Sequence, residues 1–313
     1  MMNGSMKKMT GNPAWFQETL LPRPRNWPGL IFELTKIHLS LYIALSAVFG
    51  HVLAQDQFSM ASLKLGAFVL ALAAGSAVLN HIQDQKFDLW FARTRNRCLV
   101  QKRISPPRAG LISIFLILIG LGGLYVCFPG LGTAGIGLGA LVCYNGLYTP
   151  LKKRSLGAIF PGTLCGMLPP AMGWASVPQH LSVNDVTGIF MVMCIFGLWQ
   201  VPHFFMILLK QSQEELEAAP YPSFTRVFPK NQIKGQILIW TSLYGMGILL
   251  FLLKGWMHSS GLVWALGFSA LGLPLLLATL FGYKRSSHGL SFGFFAINLS
   301  MLLFMGLGIL DRL

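Results

Sequence analysis

The chain has 313 residues, 54% of them apolar and only 11% charged, with a mean hydropathy of +0.59. That profile excludes an ordinary water-soluble domain and a disordered one. A net charge of +14 would suit nucleic acid, but the cations lie in short loops between long apolar runs, which excludes a nucleic-acid partner.

Residues 1–33 read as a polar lead-in at a membrane interface, with Pro13, Pro22, Pro24 and Pro28 and no apolar core of signal-peptide length. Apolar segments follow at 36–54, 62–82, 109–128, 131–149, 156–176, 187–209, 235–256, 261–282 and 290–310. Each is long enough to cross a hydrocarbon core of about 30 Å, which takes about 20 helical residues. The expectation is an all-α, polytopic membrane bundle of about nine transmembrane helices, with residues 34–313 as one membrane domain. Pro129-Gly130 predicts a tight turn between the third and fourth spans, and Pro161, Pro169 and Pro170 predict a kink in the fifth.

Loop charge sets the expected orientation. Of the 24 Lys and Arg, 21 fall on the side holding the N-terminus, and only Lys64, Lys254 and Arg312 fall opposite. The positive-inside rule then puts the N-terminus in the cytoplasm and, for an odd number of spans, the C-terminus on the other side of the cell membrane. The five cysteines form no Cys-x-x-Cys pair and four lie in apolar runs, so buried free thiols are expected.

The chemistry concentrates at the end of the second span. Asn80, Asp84 and Asp88 are spaced i, i+4, i+8 and share one helical face. Stacked carboxylates repel unless a cation sits between them. Mg²⁺, held by one or two carboxylates plus substrate phosphates, meets that need. Arg93 and Arg97 follow at once, with guanidinium forks matched to phosphate. A second acidic cluster, Glu214, Glu215 and Glu217, follows the sixth span; Glu214 and Glu217 are candidates for a second metal position, against the simpler reading of a solvated helix exit.

Two further stretches face the same end. In the 144–154 loop, Tyr144, Asn145 and Tyr148 at helical spacing predict a polar rim above an apolar cavity, and Lys152, Lys153 and Arg154 add cations that also serve topology. Within the sixth span, Gln200 and His203 flank Pro202 in an otherwise apolar run. Such a histidine is either a structural hydrogen-bonding residue or a substrate or haem contact.

Asn80, Asp84 and Asp88 followed by Arg93-Thr94 and Arg97 resemble the motif of UbiA-type intramembrane prenyltransferases. Within them the chain is most similar to the protoheme IX farnesyltransferases, or haem O synthases, through Leu34-Thr35-Lys36, Tyr148-Thr149 with Leu151-Lys152 and Arg154, Pro169-Pro170 with Gly173-Trp174, and Trp199-Gln200 with Pro202-His203-Phe204. The resemblance spans residues 31–311. It departs from the family pattern at Cys98 (for Pro), at Lys102 (for Gly), at Ile37-His38 (for Pro-Arg) and across 214–222.

The resemblance implies a nine-helix bundle around a central cavity open to the cytoplasm. It implies Mg²⁺ on Asp84 and Asp88, aided by Asn80, holding farnesyl diphosphate, with Arg93, Arg97, Lys152 and Arg154 neutralising the leaving group. Haem b would be the acceptor substrate, with His203 as a contact, and haem A synthase or terminal oxidase assembly a functional link. The competing readings are prenyl transfer to a quinone precursor or other aromatic acceptor, and a non-catalytic haem-handling protein or transporter.

Overall fold

A computed structural model describes residues 26–128, 131–178, 183–211, 219, 221–282 and 287–313. The described residues are helical throughout, with no strand among them. Pro28 starts the short helix α1 (Trp27–Leu34), where a missing N–H does no harm. Lys36 then takes a left-handed backbone (φ 46°) and turns the chain into α2 (Ile37–Gln55). Thr35 and Ser40 fasten this joint, the Thr35 hydroxyl donating to Ile31 O at 2.8 Å and the Ser40 hydroxyl to Thr35 O at 2.8 Å. The joint therefore sets where Lys36 projects.

Ser59 and Ser62 form a capping box that starts α3 (Met60–Asp88), a 29-residue helix carrying the whole Asn80–Asp88 stretch. Helix α4 (Pro106–Cys127) opens on two prolines and runs back along α3. The fourth span is compound: α5 (Leu131–Leu141) passes into a π-helical segment (Val142–Tyr148) and ends in α6 (Thr149–Leu151). A 3₁₀ turn (Leu156–Ala158) leads to α7 (Ile159–Ala175), followed by α8 (Val183–Leu209), α9 (Phe224–Val227), α10 (Lys230–Leu253), α11 (Ser260–Gly282) and α12 (Ser287–Leu310).

Seven of these helices are each long and apolar enough to cross a membrane. The other two expected spans are present but divided or short: residues 131–151 are broken by the π segment, and α7 has 17 residues. The fifth span is one helix, α7, with Pro169 and Pro170 inside it. Pro129-Gly130 lies outside the described residues. Helix α1 crosses the expected boundary at residue 33, because Leu30 and Leu34 pack with Val78, Leu99, Ile104 and Ala109 rather than lying free at the interface.

The largest core joins α2, α7, α8, α10, α11 and α12 around Phe49, Trp174, Phe196, Phe251 and Phe304. The periphery is apolar as well: Phe115 and Trp264 are 64% and 68% exposed, as suits a surface solvated by acyl chains. Small residues bring α2 and α7 together. A Cβ on Gly173 would lie 1.8 Å from Ala47 O, and one on Gly50 would lie 2.0 Å from Pro170 O. All five cysteines are free as expected, but only Cys98 and Cys143 are buried; Cys165 and Cys194 are half-buried, and Cys127 is exposed on the outer face, where its apolar run faces lipid.

Candidate active site

Asn80, Asp84 and Asp88 occupy successive turns of α3, and each is almost completely buried. The bare repulsion expected between the two carboxylates is relieved by protein cations. Lys152 forms an ion pair with Asp84 Oδ2, and Lys153 Nζ lies 3.0 Å from Asp84 Oδ1. Arg97 Nη1 donates to both oxygens of Asp88, at 2.8 and 2.7 Å. Lys36 Nζ donates to Asn80 Oδ1 at 2.6 Å, and the Asn80 amide donates to Asp84 Oδ2 at 2.8 Å and Thr149 Oγ1 at 3.0 Å. Four cations thus converge on two carboxylates and one amide. That surplus of positive charge favours an incoming anion.

Three local structures hold these cations. The left-handed joint before α2 aims Lys36 across at α3. Burial, with Arg97 and Lys152 nearby, pushes the Lys36 ammonium well below the usual lysine range, and burial also lowers that of Lys152 against the pull of Asp84. The turn after α3 is closed by Thr94, whose hydroxyl donates to Asp88 O at 2.9 Å, and it returns Arg97 onto Asp88. The π segment is pinned to α3 through Asn145: its amide donates to Ser76 O and Gln83 Oε1 (both 3.1 Å), and its Oδ1 accepts from Ser76 Oγ at 2.6 Å. π-Bulges of this kind are frequent at functional sites.

Beside the charged cluster lies a cavity of about 480 Å³, a ligand-sized volume. Tyr144 and Tyr148 line it as a stacked pair with ring centroids 5.7 Å apart. Lys152 Nζ sits 5.3 Å from the ring centroids of both Tyr148 and Phe87, so the same ammonium touches the carboxylate cluster and the cavity rim. Tyr221 packs on Phe87 at 4.4 Å. Deeper in, Trp199, Gln200 and His203 line the wall contributed by α8. The His203 ring lies between Trp199 (4.8 Å) and Phe294 (5.1 Å), and its Nδ1 has no hydrogen-bond partner among the described residues.

Most of the residues anticipated from sequence converge here, with several differences. Asn145 does not line the cavity, because its side chain is fully engaged with α3. Arg154 is exposed and makes no ion pair among the described residues; its neighbour Lys153 takes the place on Asp84. Arg93 is exposed, and Arg97 is bound to Asp88 as part of the cluster. Glu214, Glu215 and Glu217 lie outside the described residues. Sequence reasoning overlooked Lys36 and Lys153 as site residues. The signal for Lys36 was available, as the lone cation at the mouth of the first span.

The donors suit a hard divalent cation in kind. Asn80, Asp84 and Asp88 offer oxygen ligands on one helix face. No third acid, histidine or cysteine completes a metal cluster among the described residues, so substrate oxygens and water would fill the remaining positions.

Comparison with known proteins gives one consistent answer. The UbiA prenyltransferase family matches residues 43–302. The chain is 30% identical over 287 residues to the protoheme IX farnesyltransferase of Oleidesulfovibrio alaskensis, covering 90% of this chain and 95% of that one. It is 31% identical over 288 residues to protoheme IX farnesyltransferase 1 of Pseudomonas putida strain W619, covering 91% and 94%. In fold it resembles a UbiA homologue from Aeropyrum pernix (TM-score 0.67, 14% identity, 86% of this chain and 98% of that one). It also resembles a UbiA homologue from Archaeoglobus fulgidus bound to GPP and Mg²⁺ (TM-score 0.65, 12% identity, 90% and 99%).

Proposed function

The chain belongs to the UbiA prenyltransferase family, and from that premise we propose that it transfers the farnesyl group of farnesyl diphosphate to a vinyl group of haem b, with addition of water, to make haem O. The observation that carries this reading is Lys152, whose ammonium joins the buried Asp84 to the aromatic rim of a ligand-sized cavity. A diphosphate at the cluster would put its prenyl chain into that cavity. Lys36, Arg97, Lys152 and Lys153 would turn from the protein's own acceptors to the diphosphate oxygens. Mg²⁺ on Asp84 and Asp88 would supply Lewis-acid stabilisation of the departing diphosphate.

The carbon–oxygen bond breaks with its electron pair leaving on diphosphate. The vinyl group attacks the allylic carbon through its terminal carbon, and water captures the resulting benzylic-type cation and releases a proton. Tyr144, Tyr148 and Trp199 offer π-faces to the developing allylic charge and exclude bulk water. His203, in the cavity wall between Trp199 and Phe294, is the haem contact of this reading. The asymmetry of Lys and Arg supports a site and N-terminus facing the cytoplasm and a C-terminus across the cell membrane.

The test is a product assay on purified protein with haem b, farnesyl diphosphate and Mg²⁺, read by mass spectrometry. A haem product heavier by one farnesyl group and one hydroxyl, lost with chelator and restored with Mg²⁺, is expected. Folded protein that consumes farnesyl diphosphate only with a different acceptor would refute haem b as substrate.

A further inference from the structure

A second charged recess lies outside the site described above, where α1, the end of the 89–105 loop and the start of α4 meet. Trp27, Gln85, Lys102, Arg103, Ser105 and Arg108 line it. Arg103 is held in place by Glu33 at 2.5 Å and by Asn96 O at 3.2 Å. Lys102 and Arg108 are exposed and make no ion pair among the described residues. Lys102 is also one of only three non-glycine residues with positive φ (53°) among those described, a strained conformation for a side chain that contributes nothing to the core.

The surface next to the recess indicates what it would take. Arg108 begins a stripe on the outer face of α4 that continues, at spacings of three and four, through Leu111, Phe115 and Leu118, all strongly exposed. Trp27 stands exposed at the same level, as an interfacial aromatic does. Phosphate would find cations at the recess, and acyl chains would find the stripe directly below. Free phosphate would have no use for the stripe. Pro106 and Pro107 remove backbone donors from the start of α4, so the side chains must supply the binding.

We propose that this recess binds the head-group phosphate of an anionic phospholipid whose acyl chains lie along Leu111, Phe115 and Leu118. Juxtamembrane cations attract anionic lipid in this way. The full chain in mild detergent is mixed with equal phosphatidylglycerol and phosphatidylcholine, and retained lipid is counted by native mass spectrometry. The wild type is expected to prefer phosphatidylglycerol by about tenfold, two unpaired cations being enough for that. The double variant Lys102→Gly/Arg108→Gln is expected to lose the preference, while millimolar inorganic phosphate leaves the wild type unchanged. Glycine relieves the left-handed strain at 102, so thermal unfolding in phosphatidylcholine should be no lower than wild type. Arg108→Gln alone, which leaves the backbone untouched, should lose part of the preference. Equal retention of the two lipids by the wild type, undiminished preference in either variant, or displacement by inorganic phosphate would each overturn the proposal.

Discussion

Lys36 and Asn80, 44 residues apart in the chain, are joined by a 2.6 Å hydrogen bond that links the start of α2 to the carboxylate face of α3. The bond exists because Lys36 adopts a left-handed backbone, a conformation that disfavours a side chain by about 1–2 kcal/mol. Lys36→Gly separates the two contributions. It should be at least as stable as the wild type to heat, yet lower kcat/KM by about 10–100-fold, the worth of a charge-assisted hydrogen bond. Thermal unfolding and steady-state farnesylation on the same preparation check this. Full activity in the variant would make Lys36 a structural residue.

Asp84 holds two lysines, so its replacement acts on stability as well as turnover. Asp84→Asn leaves the Lys152 and Lys153 ammoniums without their carboxylate and should lower the unfolding temperature, while turnover falls by at least about a hundredfold. Adding Lys152→Met should restore much of the stability and none of the activity. If the double variant were as unstable as the single one, the ion pair would not be the cause.

His203 lies in the cavity wall with its ring between Trp199 and Phe294, and its Nδ1 has no hydrogen-bond partner among the described residues. His203→Ala should weaken haem b binding, followed by the Soret band, by about tenfold or more while farnesyl diphosphate binding changes little. Equal losses for both ligands would assign the ring to packing alone.

Gly173 is required by the crossing of α2 and α7. Gly173→Ala would drive a methyl group into Ala47 O, forcing the helices apart and costing several kcal/mol, enough to abolish a cooperative melt. Gly122 in α4 meets nothing within 4 Å, and Gly122→Ala should raise stability by about 0.5–1 kcal/mol. The pair, compared by thermal unfolding in one detergent, tests the packing directly.

The expected spans match the helices closely because a bilayer leaves the backbone little choice: a long apolar run must satisfy its own hydrogen bonds. Two exceptions have local causes. Pro169 and Pro170 mark the fifth span as the least regular, and α7 is the short one, with 17 residues and both prolines inside it. The fourth span predicts regular helical spacing for Tyr144, Asn145 and Tyr148, but a π segment rotates the turn and sends Asn145 to α3.

By itself, the sequence determined the membrane bundle and the Asn80–Asp84–Asp88 face, since the one follows from run length and the other from spacing along one helix. Only the tertiary structure decided which cations reach that face. Lys36, Lys152 and Lys153 lie 44 to 69 residues from their partners. Arg154, beside Lys153 in the chain, points elsewhere. A run of adjacent cations carries no information about which of them will meet a carboxylate. That is set by the phase of the chain as it leaves the π segment, and by the left-handed turn at residue 36.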